Sequence, residues 1–200
     1  MSYIYLIRHG ETTWNLEERF QGTTDTELTP KGYEQGAHLA DRLKQTPFNN
    51  IFTSPLQRAR ITASLIAASQ EAQAQEDEDF REISFGKWEG MTTGEIQAAY
   101  PWMDQWFHDP CAFLIPDGAI LEDEKARLKR RLIDIAEGGG NTAIVSHAGV
   151  IRLSLLSALD LPLSYYWRFV FGNTSISILE YHRGVFLLRC LNDTSHLSGK

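Results

Sequence analysis

The sequence predicts a three-layer α/β/α sandwich with a mainly parallel sheet. Three observations lead there. Short apolar runs rich in β-forming residues recur along the chain, helical segments with one apolar face lie between them, and this alternation persists across most of the 200 residues. Residues 3–8 (YIYLIR) read as a buried strand, broken by His9-Gly10. Thr29-Pro30 reads as an N-cap with a first-turn proline, and Tyr33, Ala37, Ala40 and Leu43 then recur at helical spacing, which predicts a helix over 30–45. Residues 50–53 (NIFT) predict a second strand. Ser54-Pro55 reads as cap plus proline again, opening a helix with Ala59, Thr62, Ala63, Ile66 and Ala67 on one side. Residues 69–79 are polar and acidic and are expected to be a solvated helix end or loop. Aromatic residues crowd 80–118: Phe80, Phe85, Trp88, Tyr100, Trp102, Trp106, Phe107 and Phe113. Leu121, Leu128, Leu132 and Ile135 predict a helix over 121–136, stopped by Gly138-Gly139-Gly140. Residues 142–146 (TAIVS) predict a third buried strand, followed by His147 and a helix from about 149 to 159. Residues 175–181 and 185–191 predict a hairpin turned around Arg183-Gly184. The length suits one domain over 1–200, with residues 85–118 as a candidate cap or lid.

Composition narrows the function. The chain is 42% apolar and 22% charged, as expected of a soluble globular protein. No apolar run reaches the roughly 18 residues that cross a bilayer, and the start, MSYIYLIRHG, lacks the pattern of a signal peptide. Two cysteines, Cys111 and Cys190, are too few for a disulfide framework, so a reducing cytoplasm is expected. The net charge of −7 argues against nucleic acid, whose phosphates need a basic face. A small anionic ligand would need a local positive cluster within this acidic chain.

The sequence supplies one. Ligands of open α/β sheets bind beyond the carboxyl ends of the strands. The first predicted strand ends at Arg8-His9, the second at Ser54 with Arg58 one helical turn after Pro55, and the third at His147. Any one of these residues alone is ordinarily structural or solvated. At equivalent ends of different strands, two arginines and two histidines suit a tetrahedral dianion. An unprotonated imidazole nitrogen is a nucleophile, and adjacent arginines hold its pKa down. Glu82, among Phe80, Ile83, Phe85 and Trp88, is the candidate general acid, because an apolar setting raises a carboxyl pKa. Its bland alternative is a surface ion pair with Arg81 or Lys87, and Glu11 and Glu89 are rival acids. The chain carries no GxxxxGK[ST] loop, GxGxxG fingerprint or HExxH motif, and its six histidines lack metal spacing, so no metal or organic cofactor is expected.

The run Leu6-Ile7-Arg8-His9-Gly10-Glu11-Thr12-Thr13-Trp14-Asn15 resembles the signature of the histidine phosphatase superfamily, the phosphoglycerate mutase-like proteins. Arg19-Phe20-Gln21-Gly22, Asp25, Leu28-Thr29 and Gly32 continue the resemblance. So do Thr53-Ser54-Pro55-Leu56-Gln57-Arg58-Ala59, Glu82 with Phe85-Gly86-Lys87-Trp88-Glu89-Gly90, and Ser146-His147-Ala148-Gly149. The resemblance implies a phosphoglycerate mutase-like fold. It implies that His9 becomes phosphorylated, that Arg8, Arg58 and His147 hold the phosphoryl oxygens, and that Glu82 donates a proton and later takes one. It adds Asn15 as a phosphate contact and Gln21 and Gly22 at the entrance. Residues 191–197 (LNDTSHL) and FGKWEG look like those of α-ribazole phosphatase-type members, although broad phosphatases and fructose-2,6-bisphosphatase-like proteins share these features. One departure concerns the Gly-Glu-Ser that often precedes the helix at 121–136; here the run is Pro116-Asp117-Gly118-Ala119-Ile120-Leu121, with Glu122 or Asp123 as possible substitutes.

The leading expectation is therefore a phosphomonoesterase acting on a small phosphorylated metabolite, α-ribazole 5′-phosphate being one candidate. In it the aromatic stretch either grips the alcohol or simply packs as core. The alternatives are a phosphoglycerate mutase, which would need further basic residues such as Arg127, Lys129, Arg130 and Arg131, a broad sugar phosphatase, and a non-catalytic phospholigand-binding protein. The chain is expected to be a monomer or homodimer without nucleic-acid or membrane partners.

Overall fold

A computed structural model describes residues 1–198. Its elements are β1 (Ser2–Arg8), α1 (Thr13–Leu16), α2 (Pro30–Leu43), β2 (Asn50–Thr53), α3 (Gln57–Ala68), β3 (Ala74–Glu76), α4 (Thr93–Ala99), α5 (Met103–His108), α6 (Leu121–Glu137), β4 (Gly140–Ser146), α7 (Ala148–Ala158), β5 (Ile176–His182) and β6 (Val185–Asp193). The strands form one sheet in the order β3-β2-β4-β1-β5-β6. β3, β2, β4 and β1 run parallel, while β5 and β6 are the antiparallel hairpin expected at the end of the chain.

Side-chain alternation along the central strands builds the layers. Ile4 and Leu6 of β1 and Ile144 of β4 face Leu128 and Leu132 of α6 and Val150 and Ile151 of α7. Ile7 of β1 and Ala143 and Val145 of β4 point the other way, onto Leu39 and Leu43 of α2 and Ala59, Ala63 and Ile66 of α3. The α2 helix begins as expected: the Thr29 side chain accepts from the Gly32 N–H, with Pro30 in the first turn.

The structure departs from two expectations and meets one of two alternatives for a third. Residues 69–79 contain β3, which pairs in parallel with β2, so this segment is more than a loop. Its side chains stay largely exposed, and edge pairing of a polar backbone leaves no hydrophobic period to read. Ser54 does not cap α3, which starts at Gln57 with Leu56 in the cap position and no side-chain cap. The hydroxyl of Ser54 is turned to other partners, described below. Within 85–118, α4 and α5 carry Ile96, Met103 and Trp106 into the core beside Trp88, so the aromatic stretch is mostly packing. No helix among the described residues is long and apolar enough to cross a membrane.

Candidate active site

The parallel strands β1, β2 and β4 end on one side of the sheet, and the loops there carry the candidate groups. Arg8, His9, Asn15, Gln21, Gly22, Arg58 and Glu82 all line a single pocket of about 240 Å³. A larger groove of about 690 Å³, between α3 and β3, holds none of them.

His9 is fixed by its main chain. Its N–H donates to the Ser146 carbonyl at 3.0 Å, and its carbonyl accepts from the Thr174 N–H and the Asn173 side-chain amide, both at 3.2 Å. Its ring Nδ1 lies 2.7 Å from the Gly10 carbonyl. A carbonyl only accepts, so Nδ1 bears the proton and Nε2 keeps its lone pair. Burial pushes the His9 pKa well below the usual value, and the charges of Arg58 and Arg8 push it further the same way. The ring is thus neutral at physiological pH.

Two guanidinium groups flank it. Arg58, fully buried, donates from Nε to His147 Nδ1 at 3.2 Å, from Nη2 to the Gly22 carbonyl at 2.7 Å and from Nη1 to the Thr24 carbonyl at 2.8 Å. Arg8 donates from Nη1 to the Phe171 carbonyl at 2.6 Å, while its buried Nε has no partner. Burial lowers both arginines to about 10; Arg152 adds to the effect on Arg8, and Glu82 opposes it on both. Both remain cationic at neutral pH. A buried guanidinium with an unused donor is unfavourable until an anion supplies an acceptor.

His147 stands behind Arg58 and is not part of the pocket lining. Its ring centroid lies 5.2 Å from that of His9. Nδ1 accepts from Arg58, so Nε2 bears the proton and donates to Ser54 Oγ at 2.7 Å. Ser54 Oγ also accepts from the Leu56 N–H at 3.2 Å. Both ring nitrogens are therefore engaged, and in this arrangement His147 orients the Arg58 guanidinium. Burial, then Arg58 and His9, holds the His147 pKa well below the usual value.

Glu82 is buried and caps the N-terminus of α7. Its carboxyl oxygens accept from the Gly149 N–H at 3.3 Å, the Val150 N–H at 3.2 Å and its own neighbour Ile83 at 3.1 Å. Burial nevertheless raises its pKa, outweighing Arg58 and the backbone donors. It has none of the ion pairing with Arg81 or Lys87 considered above: Arg81 pairs with Glu78 and Lys87 with Asp117. The rival acids are occupied elsewhere. Glu11 holds Thr29 at 3.0 Å and Lys31 at 2.9 Å. Glu89 gathers Thr23, Thr24 and the Phe85 N–H at 2.6–3.3 Å, and neither acid lines the pocket.

The remaining candidates are mostly braces. Asn15 Oδ1 accepts from Thr12 and from Asn173 at 3.1 Å. Gln21 Oε1 accepts from Thr26 at 2.7 Å, and Gly22, at φ +55°, offers its carbonyl to Arg58. Glu122 and Asp123 lie in the exposed first turn of α6 away from the pocket, so neither fills the place of the missing acidic residue. Of residues 85–118, only Phe85 reaches the pocket. The tail at 191–197 braces the loop behind His9: Asn192 accepts from the Gly172 N–H at 2.8 Å and His196 meets Thr174 at 3.0 Å.

Sequence reasoning passed over Arg152, Trp167 and Phe171, which also line the pocket, and Asn173, which holds His9 and Asn15. Arg152 carried a usable signal, four residues after Ala148 on a predicted helix. The other three come from segments with no readable period.

A neutral imidazole between two guanidinium groups, with a buried carboxyl alongside at the strand ends of an α/β sheet, defines an anion-binding class suited to phosphate esters. Comparison with known proteins gives the family. The chain belongs to the histidine phosphatase superfamily (branch 1), whose profile matches residues 4–194. Phosphoserine phosphatase 1 of Hydrogenobacter thermophilus is 30% identical over 200 residues, covering 98% of this chain and 95% of that protein. Among solved structures, Bacillus stearothermophilus YhfR superposes with a TM-score of 0.92 at 32% identity, covering 99% of this chain and 100% of that one. An Escherichia coli protein described as a putative α-ribazole-5′-P phosphatase gives 0.86 at 27% identity, covering 96% and 97%.

Proposed function

We propose that this protein is a metal-independent phosphomonoesterase that works through a phosphohistidine at His9. The observation that carries the reading is the His9 tautomer: Nδ1 is tied to the Gly10 carbonyl, which leaves an unprotonated Nε2 beside Arg8 and Arg58. In the first step Nε2 attacks phosphorus and the ester P–O bond breaks. Glu82, whose pKa is raised by burial, delivers its proton to the departing alkoxide. Arg8 and Arg58 stabilise the charge spread over the phosphoryl oxygens. In the second step water attacks phosphorus, Glu82 takes its proton and the P–N bond breaks, releasing inorganic phosphate. His147 holds Arg58 in register through its Nδ1.

A pocket of about 240 Å³ favours a compact metabolite. Drug-sized ligands usually occupy about 300–1,000 Å³. None of the four basic residues named for the mutase alternative, Arg127, Lys129, Arg130 and Arg131, lines the pocket. Arg127 pairs with Asp79 at 2.9 Å and with Glu124, Arg131 with Asp77 at 2.8 Å, and Lys129 with Asp160, all away from this pocket.

The test uses p-nitrophenyl phosphate. Turnover is expected in the presence of EDTA and is expected to vanish in His9→Ala, while inorganic phosphate still binds that variant. Turnover unchanged in His9→Ala, or abolished by EDTA, refutes the reading. A panel of phosphorylated metabolites, including α-ribazole 5′-phosphate and both phosphoglycerates, then ranks substrates.

A further inference from the structure

The pocket holds a third guanidinium that the phosphoryl chemistry does not use. Arg152 anchors its Nε on the Phe169 carbonyl at 2.9 Å and, among the described residues, makes no ion pair. Beyond that bond its polar neighbour is the Tyr166 hydroxyl, and no carboxylate among those residues pairs with it. Acidic residues outnumber basic ones 26 to 19, and the other pocket-lining arginine outside the phosphoryl pair is not free in this way: Arg19 pairs with Glu17 and Glu95. The group is also fixed. Its Cζ lies 4.6 Å from the Trp167 ring centroid, 5.4 Å from that of Tyr166 and 6.0 Å from that of Phe171. Those rings, with the Phe169 anchor, leave the Nη pair as the open end of a rigid fork. Trp167 and Phe171 line the same pocket and reduce competition from water.

Position gives the fork its use. Ala148, Gly149 and Arg152 of α7 all face the pocket. Arg152 shares this pocket with Arg8 and His9 and lies near enough to Arg8 for their charges to interact, so the fork is within reach of a second group on a small phosphorylated acid. A planar fork matches a planar carboxylate in bidentate fashion, and Arg8 and Arg58 already serve the tetrahedral group.

We infer that Arg152 binds a second, carboxylate group of the substrate and so selects small phosphomonoesters that bear one. The inference rests on the phosphomonoesterase reading and adds the substrate class. O-phosphoserine and O-phosphoethanolamine differ only in that carboxylate, so their ratio of kcat/KM isolates its contribution. The native enzyme is expected to favour O-phosphoserine by roughly 10- to 100-fold, the range set by one charge-assisted pair. Arg152→Met, which keeps the stem against the rings, is expected to bring the ratio close to one, chiefly through KM for O-phosphoserine. Arg152→Lys, with charge but no fork, is expected to fall between. A native ratio near one, or a preference that survives in Arg152→Met, overturns the inference. So does total loss of turnover in both variants, which would assign Arg152 to the phosphoryl group itself. If the native enzyme fails even on p-nitrophenyl phosphate, the underlying phosphomonoesterase reading fails first; turnover there with a ratio near one sinks this inference alone.

Discussion

Replacing Glu89 by glutamine should weaken phosphate binding although Glu89 itself does not line the pocket. The Glu89 carboxylate accepts from the Thr23 N–H at 3.0 Å, the Thr24 N–H at 3.1 Å, the Thr24 hydroxyl at 2.6 Å and the Phe85 N–H at 3.2 Å. It thereby fastens the loop whose Gly22 and Thr24 carbonyls grip Arg58 at 2.7 and 2.8 Å. Burial works against its charge, but the donors of Thr24, Thr23 and Phe85 prevail and hold its pKa below the ordinary carboxylate range. Glutamine keeps one acceptor oxygen and turns an NH₂ toward donors. One to two bonds to a charged acceptor are lost, at about 1.5–3 kcal/mol each, reduced here because the group is only half-buried. A net loss of about 2 kcal/mol corresponds to roughly 30-fold in the population of the ordered loop. The expected outcome for Glu89→Gln is a 10- to 30-fold fall in kcat/KM for p-nitrophenyl phosphate, a Kd for inorganic phosphate that weakens in parallel, and a Tm lower by about 4–8 °C. Calorimetric titration and thermal melts measure the last two. A fall in kcat/KM with phosphate affinity intact would refute the route through Arg58, and native values for all three would refute the loop argument altogether.

Three other outcomes follow from the same geometry. Glu82→Gln should slow esters with poor leaving groups by about 10²- to 10⁴-fold and p-nitrophenyl phosphate far less; equal slowing across a leaving-group series would point to a different acid. In Gly149→Ala the new Cβ would sit 2.6 Å from a Glu82 carboxyl oxygen and 3.0 Å from the Tyr166 hydroxyl, so kcat for alkyl phosphates should drop at least 10-fold, and native kinetics would disprove this packing. Stability should decline as pH falls below 6.5, because the unfolded chain takes up protons that the folded His9 and His147 refuse, each contributing up to about 1.4 kcal/mol per pH unit. Melts from pH 7.5 to 5 should show a shallower slope in His147→Gln than in the native protein, and an unchanged slope would count against a depressed His147 pKa.

The candidate site residues were legible because each follows a strong local signal. Arg8-His9, Arg58 and His147 come directly after apolar strands or a proline-marked turn, and the convergence of strand carboxyl ends in an open α/β sheet then gathers them. Glu82 stood out through its apolar neighbours. What stayed hidden depends on partners distant in sequence. Ser54 looked like a helix cap, yet its hydroxyl serves His147, 93 residues away. Glu89 read as a rival acid, although its lone pairs are used by a loop more than 60 residues earlier. Asn173 reaches back 164 residues to His9. Strand β3 has no side-chain pattern because only its backbone is used.

The main-chain clamp on His9 has a consequence for how such a protein can diversify. Its amide is held by a carbonyl of β4 and its carbonyl by an amide just before β5. Peptide groups are common to every residue type except proline's missing N–H. The station of the proposed nucleophile therefore tolerates drift in the flanking side chains. On the proposed reading, choice of leaving group falls instead to the second turn of α7 and to a few rings beside it. A descendant could acquire a new diet there while its phosphoryl chemistry stayed in place.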